Sequence, residues 1–69
     1  MDRLKLERRL EQLISNAERR LNCNPVKARH GLEAAERVMD RLNLEYHTTR
    51  NDYPAQDARI QMAYDYLNR

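Results

Sequence analysis

The sequence predicts an all-α protein: a helical hairpin plus a shorter third helix, forming a small bundle that self-associates. Three observations carry that prediction. A single glycine and two prolines in 69 residues leave few sites for the tight turns that β-hairpins need. Apolar residues recur at intervals of three and four along most of the chain. The prolines, Pro25 and Pro54, stand just where those patterns break. The length allows one domain, residues 1–69.

The first helix is placed at about residues 2–21. Leu6, Leu10, Leu13 and Ala17 form its seam, and Ile14 and Leu21 widen the stripe to roughly 100° of the helix surface. Leu4 falls off the seam, beside Glu11 and Glu18. Residues 22–24 are the hinge, inside the stretch "NCNP". Here Asn22 is expected to end the first helix in the left-handed region, Asn24 to cap the second helix, and Pro25 to open it. Cys23 lies by a helix N-terminus and near Arg20 and Lys27, conditions that lower a thiol pKa. No base or second thiol is placed beside it, so it is read as a small, partly buried hinge residue.

The second helix, about residues 25–48, has the cleanest pattern. Ala28, Leu32, Ala35, Met39, Leu42 and Tyr46 follow one another at alternating steps of four and three, a heptad seam. At 1.5 Å per residue it spans roughly 36 Å. Gly31 inside it costs about 1 kcal/mol relative to alanine, so another helix is expected to pack closely there. A turn at 49–53 follows. A residue before proline avoids the α region, so Asp52 or Tyr53 is expected to cap the third helix, about residues 54–67, with Pro54 in its first turn. That helix has two apolar faces: Ala55, Ala58, Met62 and Tyr66 on one, Ile60, Ala63, Tyr64 and Leu67 on the other. One face is expected to cover the hairpin and the other to meet a second chain or a partner. The partner-binding candidates are Ile60, Met62, Tyr64, Tyr66 and Leu67. The tyrosines are the chain's only aromatics, Tyr46 and Tyr53 flanking the second turn.

The core is thin. Ordering a chain costs about 1.5 kcal/mol per residue, which a domain this small barely offsets. One cysteine makes no internal disulfide, so self-association or docking on a larger protein remains as a source of stabilisation. A lone cysteine fits a reducing compartment. The charged start "MDRLKLERRL" is unlike a signal peptide. No uncharged stretch approaches the roughly 18 residues of a membrane span. The expected location is therefore the cytoplasm, or a host's cytoplasm for a viral protein, with no membrane association.

Charge is unevenly spread. Residues 1–29 carry eight basic and four acidic side chains, so the net +2 of the chain divides into +4 there and −2 beyond. Lys5, Arg9, Gln12, Asn16 and Arg20 form one strip of the first helix, with Arg8 and Arg19 beside it. Cations interleaved with amides suit phosphates and base edges. The preferred reading is internal: the strip complements Glu33, Glu36 and Asp40 on the second helix, within the bundle or across a dimer. Nucleic acid or an acidic protein surface are the other readings.

No phosphate loop, nucleophile elbow or zinc ligand set is present. His30 and His47 are too far apart on one helix to share a metal. The carboxylates at Glu33, Glu36 and Asp40 have the spacing of ordinary exposed acids. No catalytic residue, metal or cofactor is expected. The sequence points to a small non-catalytic protein-binding module, an adaptor, regulator or inhibitor of a larger protein. The alternative is a nucleic-acid-binding regulator using the strip on the first helix.

Overall fold

The computed structural model describes residues 2–69. They form α1 (Arg3–Arg20), α2 (Pro25–Tyr46), a single 3-10 turn (Arg50–Asp52) and α3 (Pro54–Leu67), with no strand among the described residues. The chain is all-α, a hairpin of α1 and α2 with the shorter α3 laid along one side.

Each helix starts on a side-chain or proline signal. Asp2 caps α1 by accepting from the Leu4 amide at 3.1 Å. Asn24 caps α2 by accepting from the Lys27 amide at 3.2 Å, with Pro25 in the first turn. Before α3, Thr49 and Asp52 form a capping box around the 3-10 turn: Asp52 accepts from the Thr49 amide at 2.7 Å, and Thr49 accepts from the Asn51 amide at 3.2 Å. Tyr53 stands at the N-cap of α3 outside the α region that its following proline disfavours, φ −130° and ψ 56°, but makes no side-chain cap.

The helix ends depart from expectation. Asn22 is not left-handed. α1 is followed by turn residues, and the Asn24 amide still donates to the Arg20 carbonyl at 2.8 Å, so the helical bonding runs on until Asn24 breaks it. The left-handed residue is His47, φ 56° and ψ 32°, which stops α2 at Tyr46, short of the expected 48. Thr48 is then drawn inward and its hydroxyl donates to Asn43 at 3.0 Å, so this buried polar group is satisfied. Cys23 is exposed rather than partly buried, its thiol facing the Arg19 carbonyl at 3.8 Å.

The core follows the seams read from the sequence, with Ile14 fully buried in place of Leu13 and with Tyr46 only partly buried. Leu6, Leu10, Ile14 and Ala17 of α1 interlock with Ala28, Leu32, Ala35, Met39 and Leu42 of α2. α3 adds only Ile60 and Ala63 as fully buried residues, with Tyr53 packed under its start. The α2 helix sets the long dimension, 22 residues against a molecular extent of 34 Å. At Gly31 the hairpin closes tightest. A Cβ there would lie 3.3 Å from the Ala17 Cβ, so the missing side chain permits the approach of the two helices.

Candidate functional site

The seam divides each hairpin helix into two flanks, and the flanks are opposite in charge. On one side of the seam α1 presents Glu7, Glu11 and Glu18, and α2 presents Glu36. That is the side α3 covers. Arg59 of α3 bridges Glu18 at 2.6 Å and Glu11, and also donates to the Ser15 hydroxyl at 3.2 Å. Arg50 reaches Asp57 at 2.7 Å and Glu36 at 3.6 Å. The Tyr53 hydroxyl donates to Glu7 at 2.8 Å, and the Tyr64 hydroxyl to Glu36 at 3.4 Å. At the far end Tyr66 donates to Asn22 and Arg29 donates to Asn68 at 3.2 Å, which ties the end of α3 to the hinge and to α2. Asn22 thus has a structural task, though not the one its position foretold.

Titration follows this arrangement. The hydrogen bond from Arg59 holds the Glu18 carboxyl below its ordinary value, and the two carboxylates together raise the Arg59 guanidinium. Burial, then the bond to Glu7, pushes the Tyr53 phenol up. Burial and the charge of Glu36 do the same to Tyr64.

The other side of the hairpin is open. There a groove of about 560 Å³ runs between α1 and α2, lined by Lys5, Leu6, Arg9 and Leu13 of α1 and by Ala34, Arg37, Val38 and Arg41 of α2. Its floor is apolar: Leu6 is buried, and Leu13, Ala34 and Val38 are half-buried. Its rims are cationic on both sides. Among the described residues Lys5, Arg9 and Arg37 pair with no carboxylate, and Arg41 pairs only with Glu45 of its own helix, at 3.0 Å. Helical register carries the same basic flank toward the hinge, through Arg20 on α1 and Lys27 on α2.

Within the chain, the pairing expected for the basic strip is therefore not made. Lys5, Arg9, Gln12, Asn16 and Arg20 do not meet Glu33, Glu36 or Asp40. The helices are antiparallel, and the two strips lie on opposite sides of the seam, so they face away from each other. Glu36 is engaged by Arg50 and Tyr64. Asn16 accepts from Arg19 one turn along its own helix. What Lys5 and Arg9 of the strip do face is Arg37 and Arg41. The sequence reading missed these two, although their spacing with Ala34 and Val38 already puts all four on one flank of α2.

The partner-binding candidates on α3 separate. Ile60 is fully buried, and Tyr64 and Leu67 are half-buried against the hairpin, so these three belong to the chain's own packing. Met62 and Tyr66 lie outside, 71% and 44% exposed. They border a smaller cleft between α1 and α3, about 360 Å³, that also includes Leu21 and Ala63.

No helix is long and apolar enough to cross a membrane among the described residues, and no three of their His, Cys, Asp or Glu side chains converge as a metal site. Comparison with protein-family models, with curated proteins and with solved structures finds no match.

Proposed function

We propose that this chain is a non-catalytic protein-binding module, acting as an adaptor, regulator or inhibitor in the cytoplasm, and that the groove on the open side of the hairpin is its docking surface. The single observation behind this is the pairing of an apolar floor with unneutralised cations on both rims. Concentrating like charge costs the free protein stability through self-repulsion. It is compensated when a ligand brings opposite charge, and the partly exposed Leu13, Ala34 and Val38 give that ligand apolar area to bury.

The nucleic-acid alternative draws on the same cations. It is the weaker reading, because a phosphate backbone gains nothing from Leu13, Ala34 and Val38, and no aromatic side chain lines the groove for base stacking. Self-association has a separate support, the exposed Met62 and Tyr66 beside the α1–α3 cleft. Sedimentation equilibrium at micromolar concentration, with and without Met62→Ser/Tyr66→Ser, tests it: a dimer that the double variant dissolves is expected, and a strict monomer rejects it.

Affinity capture from the native source, with recovered protein and nucleic acid both assayed, tests the main reading. The wild-type chain should retain a protein that Arg9→Glu/Arg37→Glu loses and Met62→Ser/Tyr66→Ser keeps. Retention of nucleic acid alone would turn the assignment to the alternative.

A further inference from the structure

Resting on that reading, we infer that the groove takes an acidic amphipathic helix of the partner protein, laid on the open side of the hairpin as a fourth helix. The molecule contains its own precedent. α3 is a helix docked in the neighbouring groove of the same hairpin, and it shows what such docking requires. Its apolar residues Ile60 and Ala63 fill the floor, its Arg59 reaches over one rim to Glu11 and Glu18, and Arg50 of the 3-10 turn leading into it reaches Glu36 on the other. The open groove repeats this geometry with the charge inverted. Its floor is apolar, and its rims carry Lys5 and Arg9 on one helix, Arg37 and Arg41 on the other. The complement is a helix with a narrow apolar stripe and carboxylates on both of its flanks.

The dimensions fit a short segment. From Lys5 to Leu13 is eight residues, about 12 Å at 1.5 Å each, so an occupant of two to three turns covers the lined length. Such a helix presents apolar side chains at i, i+3, i+4 and i+7. A second copy of this chain does not supply it. A two-fold contact through this face would set the four cations against themselves. Of the chain's own acids, Glu11, Glu18 and Glu36 are engaged by Arg59 and Arg50, and the exposed Glu33 and Asp40 lie on α2, whose apolar seam is already buried in the hairpin.

The probe is a synthetic 14-residue helical peptide with leucines at those four positions and glutamates on both flanks. Three controls accompany it: a peptide of the same composition with the leucines scattered round the helix, a lysine-for-glutamate version, and short duplex and single-stranded oligonucleotides. Binding is read by fluorescence anisotropy, and its location by amide chemical-shift mapping. The acidic amphipathic peptide should bind in the micromolar range and shift amides in residues 5–13 and 34–41. Arg9→Glu/Arg37→Glu should weaken it by about tenfold or more, Arg9→Gln/Arg37→Gln by less, and Met62→Ser should leave it unchanged.

Equal binding of the scattered peptide would leave only charge attraction and overturn the helix. Tighter binding of an oligonucleotide at the same salt would replace the protein occupant with a polyanion. Shifts confined to α3 would refute the groove. If the peptide fails while Arg9→Glu/Arg37→Glu still abolishes capture of the native protein, only the acidic helix is lost. If capture also survives the double reversal, the docking surface falls with it.

Discussion

The two sides of the hairpin share one seam and one architecture, yet they are finished in opposite ways. On the covered side the acids of α1 are matched by Arg59 of α3 and Glu36 of α2 by Arg50 of the 3-10 turn, and the floor is closed by Ile60 and Ala63. On the open side Lys5, Arg9 and Arg37 meet no carboxylate among the described residues, and the floor stays partly exposed at Leu13, Ala34 and Val38. The difference teaches where to look for stability and where for function. Groups that are matched within the chain hold it together. Groups left unmatched, at a cost in self-repulsion, are the ones available to another molecule.

Single substitutions on the two sides put this contrast to the test. The largest effects belong to the covered floor and the seam. Ile60→Ala should destabilise by about 2–5 kcal/mol, as for other fully buried aliphatic truncations, and should release α3 from the hairpin. The equivalent change on the open floor, Val38→Ala, should cost about 0.5–1.5 kcal/mol, the range for losing less buried volume. Urea unfolding followed by circular dichroism compares the two directly. Equal losses would mean that the open groove is structural.

Charge comes next. Arg59 serves two carboxylates, but each is a partly exposed pair of the kind worth about 0.2–1 kcal/mol, so Arg59→Ala should cost roughly 1 kcal/mol in total. Arg37→Ala should change stability by no more than about 0.5 kcal/mol, and in the stabilising direction at low salt. The covered side also carries a pH signature. Glu18 is held below its ordinary 4.5 by Arg59, so its contribution is complete above that value and is lost as pH falls through the lowered one. Melting temperature should therefore drop in acid, and Arg59→Ala should flatten the part of the drop due to Glu18. At the alkaline end the raised Tyr53 acts in the opposite sense. Its contribution is complete below its ordinary 10.0 and is lost above the raised value, as ionisation places a phenolate against Glu7.

The smallest effect is at the hinge. Cys23 is exposed and touches only the Arg19 carbonyl, so Cys23→Ser should shift stability by less than about 0.5 kcal/mol and leave partner capture intact.

What was legible in the sequence was whatever period and punctuation encode. The heptad steps of α2 named its buried residues through Leu42, though Tyr46 at their end is only partly buried; Asn24 and Pro25 marked the helix start, and the lone glycine foretold the close approach at Ala17. The two faces of α3 were legible too, and the face with Ile60 proved to be the covered one. Two things were not. Asn22 looks like a helix stop by composition, but the left-handed position went to His47, where the chain must turn to carry Thr48 under the fold. The fate of the charged strips depended on which side of the hairpin α3 would choose. Periodicity assigns residues to flanks of a helix, but it does not say which flanks of two helices end up together. Once the hairpin is antiparallel, Lys5 and Arg9 fall beside Arg37 and Arg41, and Glu36 falls beside Arg50.

The most direct test of the contrast is to remove charge from the open side and follow stability and capture in the same protein. Arg9→Glu/Arg37→Glu should unfold at a midpoint equal to or slightly above that of the wild type, because like-charge repulsion is relieved, and should lose the protein captured from the native source. A lowered midpoint with capture retained would show that those arginines hold the fold together and that the partner docks elsewhere.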